Sequence, residues 1–180
     1  MGDCRMIDMG DQGGGRDEQP EWTPDKEILY RVGCTLKMSC GLEHSLRTLV
    51  TLLAEMDGPA AIPIDIDAGV CRLTKQTAGM LIRRLAKLVD LSSHAERDLR
   101  EGLEARNFVV HAFFDKHLPH LHLREGWQAA YDDLRGSAED IERARSIVDR
   151  GVTYLLATLG LDSAQDLERL RKRVEEEREI

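Results

Sequence analysis

The chain has 180 residues, a formal net charge of -8 and 32% charged residues. Its length suits one domain with a single substantial core, and its acidity excludes wholesale electrostatic attraction to nucleic acid while leaving room for a local basic site. No apolar run approaches the roughly 18 residues that cross a bilayer, and the N-terminus lacks the apolar core of a signal peptide, so a soluble, cytoplasmic protein with no membrane partner is expected.

Aromatic residues make up only 4%, Leu, Ala, Arg and Glu are plentiful, and there is no sustained period-2 pattern, which points to an all-α fold. Residues 1–24 are rich in Gly and Asp and carry Pro20 and Pro24, the composition of a disordered leader. A helical pattern then runs from Asp25 to about Met56. Leu29, Val32, Leu36, Cys40, Leu46, Val50 and Ala54 are its inward stripe, and Glu43 sits in the middle of it as a charge out of place. Asp57 and Gly58 end this helix, and the segment through Pro59 and Pro63 to Cys71 reads as an extended loop. A second helix covers about Lys75 to Leu91, with Leu81, Ile82, Leu85, Leu88 and Val89 inward and Arg83, Arg84 and Lys87 on the other side.

Ser92 or Ser93 caps the third helix, with Glu96 three residues after Ser93 as in a capping box, and Pro119 ends it. At roughly 100° per residue, Leu99, Leu103, Val110, Phe113 and Phe114 fall within about one third of the circumference. Arg106 lies inside that stripe, Asn107 and His111 share its flank, and Phe108 falls on the opposite face, where an aromatic suits an interface between two copies. A fourth pattern from about Arg124 to Leu159 sets Trp127, Tyr131, Leu134, Ala138, Ile141, Val148, Val152 and Leu155 on a seam, with Gly136 as a place for a bend and Gly160 as the stop. Ser163 caps a last short helix, and the charged end frays. Short connections between amphipathic helices predict an up-and-down bundle of four principal helices over residues 25–160, with the short C-terminal helix and tail in 161–180.

Cys4, Cys34, Cys40 and Cys71 show no metal-binding spacing and read as small apolar residues or a free tail thiol. His117, His120 and His122 cluster around a helix-breaking proline, and no Glu stands three residues before any histidine, so neither a metal site nor a cofactor is expected. Glu43 and Arg106 have opposite signs on two inward faces and suit an ion pair that registers the first helix on the third. His111 can titrate near neutral pH, Arg106 can stabilise charge on a phosphorane, and Asn107 can orient a phosphate or a hydroxyl. Arg106 and His111 stand about 140° apart on a regular helix, awkward for one phosphate held by one subunit, and two copies would bring two such edges together.

The run Arg106-Asn107-x-x-x-His111, within LEARNFVVHAFF on the third helix of an all-α bundle, resembles the motif of the HEPN superfamily (higher eukaryotes and prokaryotes nucleotide-binding). The resemblance implies a metal-independent endoribonuclease, a toxin of a toxin–antitoxin pair or a phage-defence effector, working as a homodimer. Arg106, Asn107 and His111 would then act at a cleft between subunits, where a 2′-hydroxyl attacks the adjacent phosphate. It also implies an RNA substrate and an antitoxin or nucleotidyltransferase-like partner. The residues themselves offer Arg83, Arg84, Lys87 and Arg100 either as a solvated face or, if the second and third helices present them on one side, as an RNA-binding rim. A non-catalytic HEPN-like binding or regulatory dimer is the alternative.

Overall fold

The computed structural model describes residues 23–56 and 66–160. Helix α1 (Pro24–Met56) opens with a proline, whose missing N–H is harmless in a first turn, and with Asp25 and Glu27 at the positive end of the helix dipole. Its inward line is Ile28, Val32, Thr35, Ser39, Leu42, Leu46 and Leu49, in alternating steps of four and three. The expected stripe lies partly one residue off this line, and Leu29, Leu36 and Cys40 are exposed. Two hydroxyls account for the difference. Thr35 Oγ1 donates to the Arg31 carbonyl and Ser39 Oγ to the Thr35 carbonyl, each at 2.9 Å, so both side chains enter the core with their polar atoms satisfied.

Helix α2 (Ile66–Arg72) occupies a stretch expected to be loop. Gly69 is buried there, and the Thr51 side chain fills the space a Cβ would take, so the absence of a side chain is what lets this helix press onto α1. The remainder of that loop, 57–65, lies outside the described residues, as do the expected leader up to residue 22 and the helix capped by Ser163. Helix α3 (Ala78–Leu88) is capped by Thr77, whose side chain accepts from the Met80 N–H at 3.4 Å. It buries Leu81 and Leu85, half-buries Ile82 and Leu88, and exposes Arg83, Arg84 and Lys87.

Helix α4 (Ser93–Asn107) is capped by Ser92, whose Oγ accepts from the Ala95 N–H at 3.2 Å. The cap is thus Ser92 and not Ser93, and Glu96, four residues after it, stands one position beyond the capping-box place, which Ala95 takes. From Asn107 the chain continues through a π-helical turn at Phe108–Ala112 into α5 (Phe113–His117) and a 3-10 turn at Leu118–His120. Helix α6 (Arg124–Thr158) runs unbroken through Gly136 and ends at Gly160, where φ is +70° and the N–H donates to the Ala157 carbonyl at 3.0 Å. With α4, the π-turn and α5 taken as one element, the described residues form five helices and no strand.

Both α1 and α4 pack on α6. Ile28 and Val32 share a cluster with Ala130 and Leu134, and Leu49 abuts Gly151, so α1 and α6 run in the same direction. Gly102 abuts Ala144 while His117 meets Asp133, so α4 and α5 run against α6. Strict alternation of four principal helices would make the first and last antiparallel. The long connection between α1 and α3 frees the chain from that alternation. No described helix is long and apolar enough to cross a membrane.

Among the described residues the buried apolar side chains form two clusters. The larger includes Leu42, Leu46, Leu52, Leu81, Leu85, Leu99, Ile141 and Val148, and the smaller consists of Ile28, Val32, Val109, Phe113, Ala130 and Leu134. Between them along the α1 and α6 seams stand Thr35, Ser39 and Ser137, all buried.

Glycine contacts make this packing testable. A Cβ at Gly102 would collide with the Ala144 side chain, whereas one at Gly136 would meet nothing within 4 Å. Overpacking costs about 1–3 kcal/mol, against about 1 kcal/mol that Gly→Ala returns in a helix interior. Gly102→Ala is expected to lower the denaturant midpoint and Gly136→Ala to raise it. Chemical denaturation of the two variants checks both signs.

Candidate functional site

Residues five apart on an α-helix point about 140° away from each other. The π-turn removes that separation. The Phe113 N–H donates to the Phe108 carbonyl, an i to i+5 bond that places about one extra residue in the turn. Arg106 and His111 are thereby brought to one edge, with Arg106 Nη1 3.5 Å from His111 Nε2. A guanidinium has donors only, so an interaction along this line makes Nε2 the acceptor and leaves the ring proton on Nδ1. Asn107 belongs to the same edge, its Oδ1 accepting from Arg106 Nη1 at 3.1 Å. Asn107 and His111 are both exposed.

The same turn re-sorts the neighbouring side chains. Val109, Phe113 and His117 point inward at steps of four, which on a regular helix would drift by about 40° per step. Val110 and Phe114, expected inside, are each 39% exposed. Phe108, expected on the outer face, is half-buried and stands edge-on to Phe113 with ring centroids 6.0 Å apart.

Arg106 is held from α1. Its Nε and Nη2 donate to Glu43 Oε1 at 2.9 and 2.7 Å, and Arg47 Nη2 donates to Glu43 Oε2 at 3.0 Å. The three side chains are 24%, 17% and 18% exposed, which places the group between a screened surface pair and a buried one. One carboxylate between two guanidinium groups leaves a net positive charge beside His111. Arg47 is the residue that sequence reasoning missed, although its position one turn after Glu43 is a usable signal. Its Nε is buried with no hydrogen-bond partner among the described residues.

The residues of the expected basic rim are divided between two helices. Arg83, Arg84 and Lys87 are exposed on α3, and Arg83 Nε donates to the Gly79 carbonyl of its own helix. Arg100, also exposed, precedes Arg106 by six residues on α4 and so points about 120° away from it.

The three clustered histidines separate. His120 and His122 are exposed, while His117 is buried with Nε2 2.7 Å from Asp133 Oδ2. Lys116 Nζ donates to the same oxygen at 2.6 Å. Burial pushes the Asp133 carboxyl up, but the hydrogen bonds and charges of Lys116 and His117 outweigh it and hold the group below its ordinary value of 3.8. Of the cysteines, Cys34 is half-buried and Cys40 and Cys71 are exposed, all three as free thiols, and Cys4 lies outside the described residues.

Glu43→Gln removes the carboxylate that both arginines share and is expected to cost about 1–3 kcal/mol, between the surface and buried cases. In a double-mutant cycle, Arg106→Gln should cost less in the Glu43→Gln background than in the wild type. A carboxylate held low in the fold contributes stability above its ordinary value and loses that contribution as the pH falls through the folded value. Stability should therefore drop below about pH 4 more steeply in the wild type than in Asp133→Asn, as acid titration of the unfolding midpoint would show. No protein-family model, curated protein or solved structure matches this chain, and the chemistry of the site rests on its own geometry.

Proposed function

We propose that the chain is a HEPN-like, metal-independent endoribonuclease acting as a homodimer. The observation that carries this reading is the 3.5 Å approach of Arg106 Nη1 to His111 Nε2 on an exposed edge. Two nitrogens this close on one edge can both reach a single phosphodiester laid across them. When RNA binds, a ribose 2′-hydroxyl replaces Arg106 Nη1 at the single lone pair of His111 Nε2, which takes its proton, and that oxygen attacks the adjacent phosphorus. Arg106 faces the charge that builds on the phosphorane, and Asn107 orients the phosphate. The P–O5′ bond breaks and the leaving oxygen takes a proton from solvent water, to which His111 gives up the one it gained, leaving a cyclic phosphate and a 5′-hydroxyl.

The proposed dimer has a surface to use. Glu43 and Arg106 join two rows of side chains into one face. On α1 the row continues through Cys40, Leu36, Gly33 and Leu29, and beyond Arg106 through Val110, Phe114 and Leu118. Leu29 is 59% and Leu118 64% exposed. An apolar strip of this kind beside the cationic edge suits a second copy, which would set two Arg106–His111 edges along one groove. A toxin or phage-defence role, with an antitoxin or nucleotidyltransferase-like partner, is the setting in which such an activity would be held in check.

The second reading is a non-catalytic HEPN-like binding or regulatory dimer. The half-buried Glu43–Arg106–Arg47 group favours it, since shared ion pairs also serve to register helices. Cleavage of end-labelled RNA with EDTA present separates the two. A ribonuclease cuts under these conditions and leaves cyclic phosphate ends, and His111→Ala is expected to slow it by about 10²–10⁴-fold while helix content stays unchanged. Intact RNA with the wild-type protein, or equal cutting by His111→Ala, rejects the catalytic reading.

A further inference from the structure

A π-turn is a less favourable backbone than a regular α-helix, and α5, with five residues, has too few internal bonds to hold itself in place. What keeps this turn open lies in α6. Asp133 Oδ2 takes Lys116 Nζ at 2.6 Å and His117 Nε2 at 2.7 Å, so the last turn of α5 is gripped by one carboxylate. Those two residues in turn enclose Phe108, the first residue of the π-turn. Lys116 Nζ stands 5.4 Å from the centre of its ring, and His117 meets it edge-on at 6.3 Å. Phe113, fully buried, lies 4.9 Å from the His117 ring and completes the contact.

The two ends of this arrangement are linked by rotation. Were the stretch to wind as a regular helix, every residue after it would turn by about 100°. His117 and Lys116 would leave Asp133, and His111, inside the turn, would rotate part of the way with them and leave Arg106. Both juxtapositions require the same turn.

We infer that Asp133 is a positioning residue for His111: by holding Lys116 and His117 it selects the π-turn that sets the imidazole beside Arg106. Its catalytic consequence rests on the proposed reading of Arg106 and His111 as the reacting pair. Its structural consequence does not.

The test uses the full chain and two readouts, the ring nitrogen and proton resonances of His111 by NMR and the steady-state cleavage of RNA. Asp133→Ala is expected to shift the His111 ring resonances and to lower kcat by about 10²-fold with little change in KM, and Asp133→Glu to restore both. Asp132→Asn alters the neighbouring residue, whose carboxylate pairs with Arg135 at 3.3 Å, and should leave both readouts at the wild-type value. Lys116→Met removes one of the two contacts to Asp133 and should give an intermediate shift, which serves where Asp133→Ala does not fold. Unchanged His111 resonances in folded Asp133→Ala, or in Lys116→Met where that is the variant used, overturn the inference. Should the wild type cut no RNA, the ribonuclease reading falls and the resonances still decide the positioning role.

Discussion

Five residues separate Arg106 from His111, and a helix of constant pitch cannot put them side by side. Everything at the site depends on how the chain resolves that mismatch. It does so with one wide turn, and the cost of that turn is met by tertiary contacts on both sides: Glu43 on α1 holds the arginine, and Asp133 on α6 holds the helix beyond the histidine. Neither carboxylate belongs to the motif. The exposed edge is thus defined by two acidic residues on two other helices, in a chain whose net charge would otherwise argue against an anionic ligand.

Charge pairing also settles how far Arg106 is committed. Two of its nitrogens face Glu43, and the third faces Asn107 and His111. The first pair explains why a guanidinium is tolerated against the packed face of a helix. The remaining nitrogen is the one with chemistry to offer, and its direction follows from the planar fork of the side chain once the other two are fixed.

Much of this was legible in the residues. The extents of α1 and α6, the outward basic face of α3 and the stop at Gly160 follow from periodicity and composition, and the opposite charges of Glu43 and Arg106 suggested their pairing. The losses have specific causes. Counting in threes and fours assumes a constant pitch, so the π-turn moved Val110 and Phe114 outward and Phe108 inward against expectation. Thr35 and Ser39 hid the α1 seam because a hydroxyl bonded to its own helix behaves as an apolar group, which no hydropathy pattern records. Helix α2 depends on a close approach at Gly69, and the grip of Asp133 on His117 links residues sixteen apart on different helices. Both are tertiary facts without a local signature.

The hydroxyl level formed by Thr35, Ser39 and Ser137 divides the interior into unequal halves. Thr35 and Ser39, bonded to their own backbone, contribute little cohesion across such a level, so the two halves are coupled mainly through the helices that cross it, α1, α6 and the run from α4 to α5. Sub-global opening then has a natural boundary. The smaller half, with six buried apolar residues among those described, can lose its order while the larger persists, and it is the half that contains the π-turn. The edge carrying Arg106 and His111 sits at the border between a stable scaffold and a separable unit, so amide exchange in Phe108–His117 should be governed by local opening rather than by global unfolding of the chain.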